Sequence, residues 1–204
     1  MTEKHIKHAD TDYPVHPLIA QRWSPYAFAP RVVENAKLLS CLEAARWAAS
    51  SYNEQPWTFL VARREDSTEF QRLLGCLLEA NQEWAQHAGV LILTVICPTF
   101  SRNGKPNRVA EHDLGLAAGN LSLQAESLGL YVHQMAGVNL QVARQTYSIP
   151  ETHQPVTAIA IGYAASEEAA PSEELAQRDR QPRQRKPLSE WVFQGGWKNP
   201  ADLS

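Results

Sequence analysis

Apolar residues recur along this chain in two distinct periods, and the alternation of those periods outlines the fold. In Glu34–Ala49 they fall at Ala36, Leu39, Leu42, Ala45 and Ala49, the three-and-four spacing of an amphipathic helix. A polar turn, Ser50–Pro56, then leads into Trp57–Ala62, which is rich in strand formers. Asp66 and Glu69 form a capping-box pattern for a helix running to about Glu79. Val90–Cys97 is continuous and β-branched, as expected of a strand covered on both faces. Pro98–Asn107 carries two prolines, a glycine and Phe100 and is predicted to be a loop. Ala110–Leu128 is the longest helical pattern. Its apolar residues lie on more than one face and many are small, so it should pack on several sides, and one such side is often a subunit interface. Tyr131–Met135 reads as a short strand after the Gly129 stop, Asn139 as the cap of a helix to about Tyr147, and Thr157–Ala164 as a buried strand. Helices and strands alternate without an internal repeat, which defines a mixed α and β class.

The two ends differ from this core. Residues 1–16 are polar, with His5, His8 and His16 among charges, and are expected to form a mobile or loosely docked arm. From Ser166 a run of glutamates precedes Arg178, Arg180, Arg183, Arg185 and Lys186, and Trp191, Val192 and Phe193 follow. Such a charge run is ordinarily a solvated face, but these aromatics need burial, so the tail should dock and carry its positive group with it.

Composition narrows the class. The 204 residues hold 19 Lys and Arg against 22 Asp and Glu, for a net charge of −3, which gives no general attraction to nucleic acid. No apolar run approaches the roughly 18 residues of a membrane span, and the opening MTEKHIKHAD lacks the apolar stretch of a signal peptide, so a soluble cytoplasmic protein is expected. Cys41, Cys76 and Cys97 are far apart and odd in number, which argues against disulfides and structural zinc.

Phosphate-loop, GxGxxG, HExxH and GxSxG patterns are all absent, and consecutive Glu111, His112 and Asp113 on a helix point in different directions. Three polar segments remain: Arg22–Phe28 (RWSPYAF), Ser50–Trp57 (SSYNEQPW) and Arg183–Leu188 (RQRKPL). Hydroxyls, a carboxamide and guanidinium groups are the equipment for holding a phosphate monoester, because arginine pairs two oxygens at once.

These segments, with EAARWAASSYNEQPWTFLVA, DLGLAAGNLSLQAESLGL, HQMAGV and RQRKPLSEWVFQGGW in this order, resemble the motifs of the FMN-dependent nitroreductase family from Arg22 to Trp197. The resemblance implies an α+β, three-layer fold with a mostly antiparallel central sheet flanked by helices, in a domain-swapped homodimer. Residues 17–204 would form one domain, and an arm of about residues 187–204 would wrap the partner. The subunit interface would hold two identical FMN sites, each lined by residues of both chains. Arg22, Trp23, Ser24 and Tyr26 would form the first flavin motif, with Arg22 and Ser24 meeting the phosphate beside Arg183 and Arg185. Ser50, Ser51 and Asn53 would reach the flavin from the other subunit, and Asn81 would read the pyrimidine edge. Ala136 and Gly137 would set backbone N–H groups near N5 and O4. Helix Ala110–Leu128 would form the dimer core.

The resemblance further implies hydride transfer from NADH or NADPH, then reduction of a nitroaromatic or quinone in the same space by a ping-pong mechanism. No catalytic side chain and no metal is required. Tyr52, Trp84 and Phe100 are candidates for lining the acceptor space. Tyr26 and Trp84 stand where family members commonly carry cations, and Gly-Trp-Lys at 196–198 departs from the usual ending. Those departures leave open other flavin chemistry (enone or aldehyde reduction, dehalogenation) and a non-catalytic role in flavin storage or sensing.

Overall fold

A computed structural model of the chain describes residues 5–202. Its sheet joins β1 (Phe28–Ala29), β2 (Trp57–Arg63), β3 (Val90–Ile96), β4 (Tyr131–Met135) and β5 (Gln154–Ala164). β3 lies between β2 and β5, while β4 and β1 also pair with β5, and every one of these pairings is antiparallel.

Strand β3 is buried along its whole length because both faces of the sheet are covered. Leu91, Leu93 and Val95 enter one core with Phe70 and Leu73 of α3 (Ser67–Leu74) and Trp84 of α4 (Glu79–Ala85). Val90 and Ile92 enter the opposite core with Leu38, Cys41 and Ala45 of α2 (Asn35–Arg46) and Ala117, Leu121 and Ala125 of α5 (Ala110–Ser127). Strand alternation therefore sends successive side chains into different layers, which is the three-layer arrangement expected. The alanines of α5 let that helix approach both α2 and the sheet closely. All three cysteines are free thiols, and burial raises the Cys41 thiol to about 11.

Several elements depart from the periodicity. The predicted helix to Glu79 divides in two: Asp66 caps α3 through Glu69 N–H, and the helix stops at Gly75. The link then pairs Leu77 with Val138, and Leu78 N–H donates to Gly137 O at 2.9 Å, so tertiary bonding overrides helical continuation. Strand β5 begins three residues earlier than Thr157. Its register with β3 shifts between Leu93 and Val95, where buried Thr94 accepts from Thr157 N–H through Oγ1 at 3.0 Å.

The amino-terminal arm is docked over His5–Ala9, while Asp10–His16 are exposed. His5 stacks on Trp23 at 5.4 Å, and buried Lys7 donates from Nζ to Arg178 O at 2.6 Å. The acidic-to-basic run also has structure: Ser172 caps α7 (Glu173–Arg180), which buries Leu175, Ala176 and Asp179. The Asp179 carboxylate accepts from the backbone N–H groups of Tyr26 and Ala27, fastening the first polar segment to the helix. α6 (Leu140–Thr146), capped by Asn139, follows β4 as predicted.

Candidate functional site

Where the short helix α1 (Pro17–Gln21) ends, its last turn turns into the first polar segment, and guanidinium groups gather there. Arg22 Nη1 donates to Ser24 Oγ at 3.4 Å. Arg183 is fixed by backbone: Nε donates to Lys7 O at 2.6 Å and Nη1 to Arg22 O at 2.5 Å, and Nη2 donates to Ala20 O. Burial and the neighbouring Arg185 hold the Arg22 guanidinium below the ordinary arginine value, while burial, Arg22 and Arg185 do the same to Arg183. Glu126, at the far end of α5, pulls the other way on both. Burial lifts the Glu126 carboxyl itself, and its Oε2 is buried with no hydrogen-bond partner among the described residues. Two partly desolvated guanidinium groups, Arg22 and Arg183, are thus held with the exposed Arg185 near enough to act on both.

Two cavities open from this cluster. One of about 310 Å³ is lined by Arg22, Ser24, Gly119, Ser122, Leu123, Val132 and Gln134. Within it Gln134 Nε2 donates to Ser122 Oγ at 3.1 Å, and Ser122 Oγ donates to Ala118 O at 2.7 Å. A second, of about 580 Å³, lies between Arg22, Arg183, Arg185, Lys186, Leu188 and Trp191 on one side and arm residues including Asp10, Asp12 and Tyr13 on the other. Ser122 and Gln134 escaped the sequence reading as individual residues. The available signal was a hydroxyl interrupting the apolar stripe of α5.

A second grouping forms at the start of α4. Asn81 Nδ2 donates to Gly137 O at 3.1 Å, sharing that carbonyl with Leu78 N–H. A Cβ at Gly137 would come within 2.3 Å of Asn81 Nδ2, so glycine here is a matter of space. Its own N–H donates to no group among the described residues, and Ala136 beside it is exposed.

The third grouping is the turn at Ser50–Gln55. Tyr52 (φ 55°), Asn53 (φ 56°) and Gln55 (φ 52°) all occupy the left-handed region, a conformation that non-glycine residues adopt at a cost. Contacts from three directions hold the strained backbone. Ser51 N–H donates to Asp113 Oδ2 at 3.0 Å, Gln55 N–H donates to Ser50 Oγ at 3.0 Å, and Ser101 N–H donates to Glu54 Oε1 at 2.7 Å. Of the triplet at 111–113, Glu111 and His112 are exposed and Asp113 is buried, so Asp113 serves as an anchor for the turn.

Other expected site residues lie apart from these groupings. Trp23 is buried between His5 and Tyr131. Tyr26 packs edge-on to Trp84 at 5.5 Å and to His133 at 4.7 Å, and its hydroxyl accepts from Arg178 Nη1 at 3.3 Å. Trp84 is 1% exposed and lines no acceptor space; it is a core residue, stacked on Phe28 and tilted against His133. Burial holds the His133 imidazole below its ordinary value and Arg22 adds to this, against the opposing bond between its Nδ1 and Pro25 O. Tyr52 and Phe100 do meet, edge-on at 5.8 Å, beside the strained turn.

Asp113 and Glu126, which mark the turn and the guanidinium cluster, are 13 residues apart on α5, or roughly 20 Å along its axis. One chain therefore presents the two groupings at opposite ends of one helix.

Fold and motif order coincide in one family. A sequence profile described as the Nitroreductase family matches residues 19–163, and the chain belongs to that family. It is 32% identical over 149 residues to an uncharacterized 15.4 kDa protein in the ask 5′ region of Mycolicibacterium smegmatis, across 70% of this chain and 98% of that one. A solved structure described as an oxidoreductase containing FMN superposes with a TM-score of 0.88 at 34% identity, covering 98% of this chain and all (100%) of the other. A nitroreductase family protein from Clostridium difficile 630 shares the fold, with a TM-score of 0.68 at 24% identity over 88% of this chain and 97% of that one.

Proposed function

We propose that two copies of this chain bind FMN at their interface and use it to oxidise NADH or NADPH and reduce a nitroaromatic or quinone. The observation that carries the reading is the gathering of Arg22, Arg183 and Arg185 along one cavity, where a multiply charged anion would offset the positive charge bearing on Arg22 and Arg183. The similar solved structure that contains FMN supports flavin as the group bearing that anion. The surroundings fit it. Beside the cluster lies a cavity walled by a hydroxyl and a carboxamide, and Gly137 keeps a backbone N–H free where any larger residue would displace Asn81.

When bound, FMN supplies two-electron hydride chemistry. The chain's own residues hold and orient it. Arg22, Ser24 and Arg185 would grip the phosphate, while Arg183, committed to three carbonyls, fixes the Arg22 backbone and adds charge. Ser122 and Gln134 would meet the polyol chain, and Asn81 and the Gly137 N–H the polar edge of the ring. Ser50, Ser51 and Asn53 would come from the second copy, which the separation of the two groupings along α5 supports. Exposed Leu39, Trp47 and Leu116, and Leu188, Trp191 and Trp197 of the carboxy-terminal arm, are apolar surface of the kind a homodimer covers. Donor and acceptor would occupy the same face in turn, and solvent would supply the protons. Among the described residues no helix is long and apolar enough to cross a membrane.

Anaerobic titration of the FMN-loaded protein tests the reading. NADH or NADPH should bleach the yellow absorbance, and a nitroarene or quinone should restore it. Colour that persists with both donors would overturn the reductase assignment and leave flavin binding alone.

A further inference from the structure

The loop between β3 and α5 carries chemistry that the flavin-holding groups leave unused. From Pro98 to Val109 it contains Arg102, Lys105 and Arg108 and no acidic residue, a concentrated positive segment in a chain of net charge −3. It is an ordered hairpin. Thr99 bridges Pro106, Phe100 N–H donates to Lys105 O at 2.8 Å, Gly104 takes the left-handed turn at φ 67°, and Asn107 N–H closes on Pro98 O at 2.8 Å. All three cations are exposed, and none makes an ion pair or a side-chain hydrogen bond among the described residues. The acid nearest by contact, Glu54, is engaged with Ser101 N–H, and Glu111 follows on the first turn of α5.

This hairpin rests on the strained turn. The Arg102 guanidinium lies 3.8 Å from the centre of the Tyr52 ring and 5.4 Å from that of Phe100, while Tyr52 is 73% exposed. A guanidinium stacked on an aromatic face keeps its N–H groups pointing outward from its edge, available to phosphate oxygens. The exposed Tyr52 ring and the guanidinium plane stacked on it, beside cations that make no ion pair among the described residues, form a surface for a purine attached to phosphate, where stacking and charge act together.

On the reading that Ser50–Asn53 meets the flavin, we propose that the 98–108 hairpin recognises the phosphate groups of the reducing dinucleotide. Its charge then selects NADPH over NADH, because the 2′-phosphate is the one group that distinguishes them. Arg102 is the specificity-determining residue, held in position by Tyr52.

The test compares the FMN-loaded protein with its Arg102→Glu/Lys105→Glu variant, using anaerobic stopped-flow reduction by each donor. The apparent Kd for NADPH should rise about tenfold or more in the variant, with a change for NADH smaller than about threefold. Raised ionic strength should weaken NADPH binding in the parent and have little effect in the variant. Unchanged values for both donors, or equal shifts for both, overturn the proposal. Arg102→Gln, which removes charge without reversing it, provides the same comparison if the double variant fails to retain FMN. Calorimetric titration with 2′,5′-ADP reads the hairpin without electron transfer. Binding in the parent and loss in the variant support the phosphate site even if neither donor bleaches the flavin, whereas equal binding to both proteins refutes it.

Discussion

At its C-terminal end α5 runs into an excess of positive charge; near its N-terminal end it anchors a turn bent into left-handed conformations. Around Glu126, burial and neighbouring guanidinium groups disfavour the charged forms of Arg22 and Arg183, and a buried carboxylate oxygen has no hydrogen-bond partner among the described residues. Around Asp113, in contrast, the Ser50–Gln55 backbone is strained but satisfied, with Ser51, Gln55 and Glu54 all in hydrogen bonds. On the proposed function, the first region would respond to a ligand's charge, and the second would hold a shape before any ligand arrives. Changes at the first should alter affinity in a charge-dependent way, and changes at the second should alter geometry.

The largest effect is expected at Arg183, where both roles coincide. Arg183→Met leaves three carbonyls without their charged donor and should lower stability by about 3 kcal/mol, as well as weakening FMN retention. Thermal denaturation of the apo and FMN-loaded forms separates the two losses; equal melting temperatures in variant and parent would remove Arg183 from its structural role.

Asp113→Ala comes next. The Ser51 N–H loses its buried partner, at a cost of about 2 kcal/mol, and amide exchange across Ser50–Gln55 should accelerate. Asp113→Asn keeps an acceptor and should lose less. Exchange unchanged in the alanine variant would mean that the turn holds itself.

Gly137→Ala should be milder in stability, since the atom in the way ends a side chain, yet it displaces Asn81 and breaks the bond to Gly137 O. The expected outcome is a melting temperature within a few degrees of the parent and FMN affinity lowered by about tenfold. Retained affinity would separate Asn81 from the ring.

The smallest effect concerns His133. Burial and Arg22 lower its pKa in the folded chain, so the unfolded chain takes up the proton first as pH falls through the ordinary value of 6.5. The stability conferred by the neutral imidazole is complete above that value and is lost below it. Melting temperature should fall more steeply between pH 7 and pH 5 in the parent than in His133→Phe, and parallel slopes would exclude His133 as the source.

Legibility in the sequence followed burial pattern and length. The Val90–Cys97 run and the multi-faced Ala110–Leu128 pattern appear as β3 and α5 almost residue for residue, because an unbroken β-branched run reads as a strand and a helical spacing sustained over 18 residues reads as a helix. Short elements without a stop or cap legible in the sequence stayed hidden: β4 and α6 are as short as α1 and α4 but are marked by the Gly129 stop and the Asn139 cap, whereas the start of α4 has no side-chain cap and is set by tertiary bonds such as Leu78 N–H to Gly137 O. α7 was concealed by its charges, since its buried face is only Leu175, Ala176 and Asp179.

At the candidate site, motif order brought Arg22, Ser24, Arg183 and Arg185 onto one list, and the fold gathers them around shared cavities. Side-chain direction was not legible. Trp23, Tyr26 and Trp84 stand in or near the motifs but turn into packed aromatic clusters. Asp113, dismissed by its helix neighbours as a catalytic group, proves to be the anchor of the strained turn.

Affinity for FMN compared with riboflavin, measured by flavin fluorescence on the stripped protein, tests the guanidinium cluster most directly, because the two ligands differ only in the phosphate. FMN should bind at least about a hundredfold more tightly, with the advantage shrinking as salt rises and largely lost in Arg22→Ala. Equal affinity for the two flavins would contradict the account.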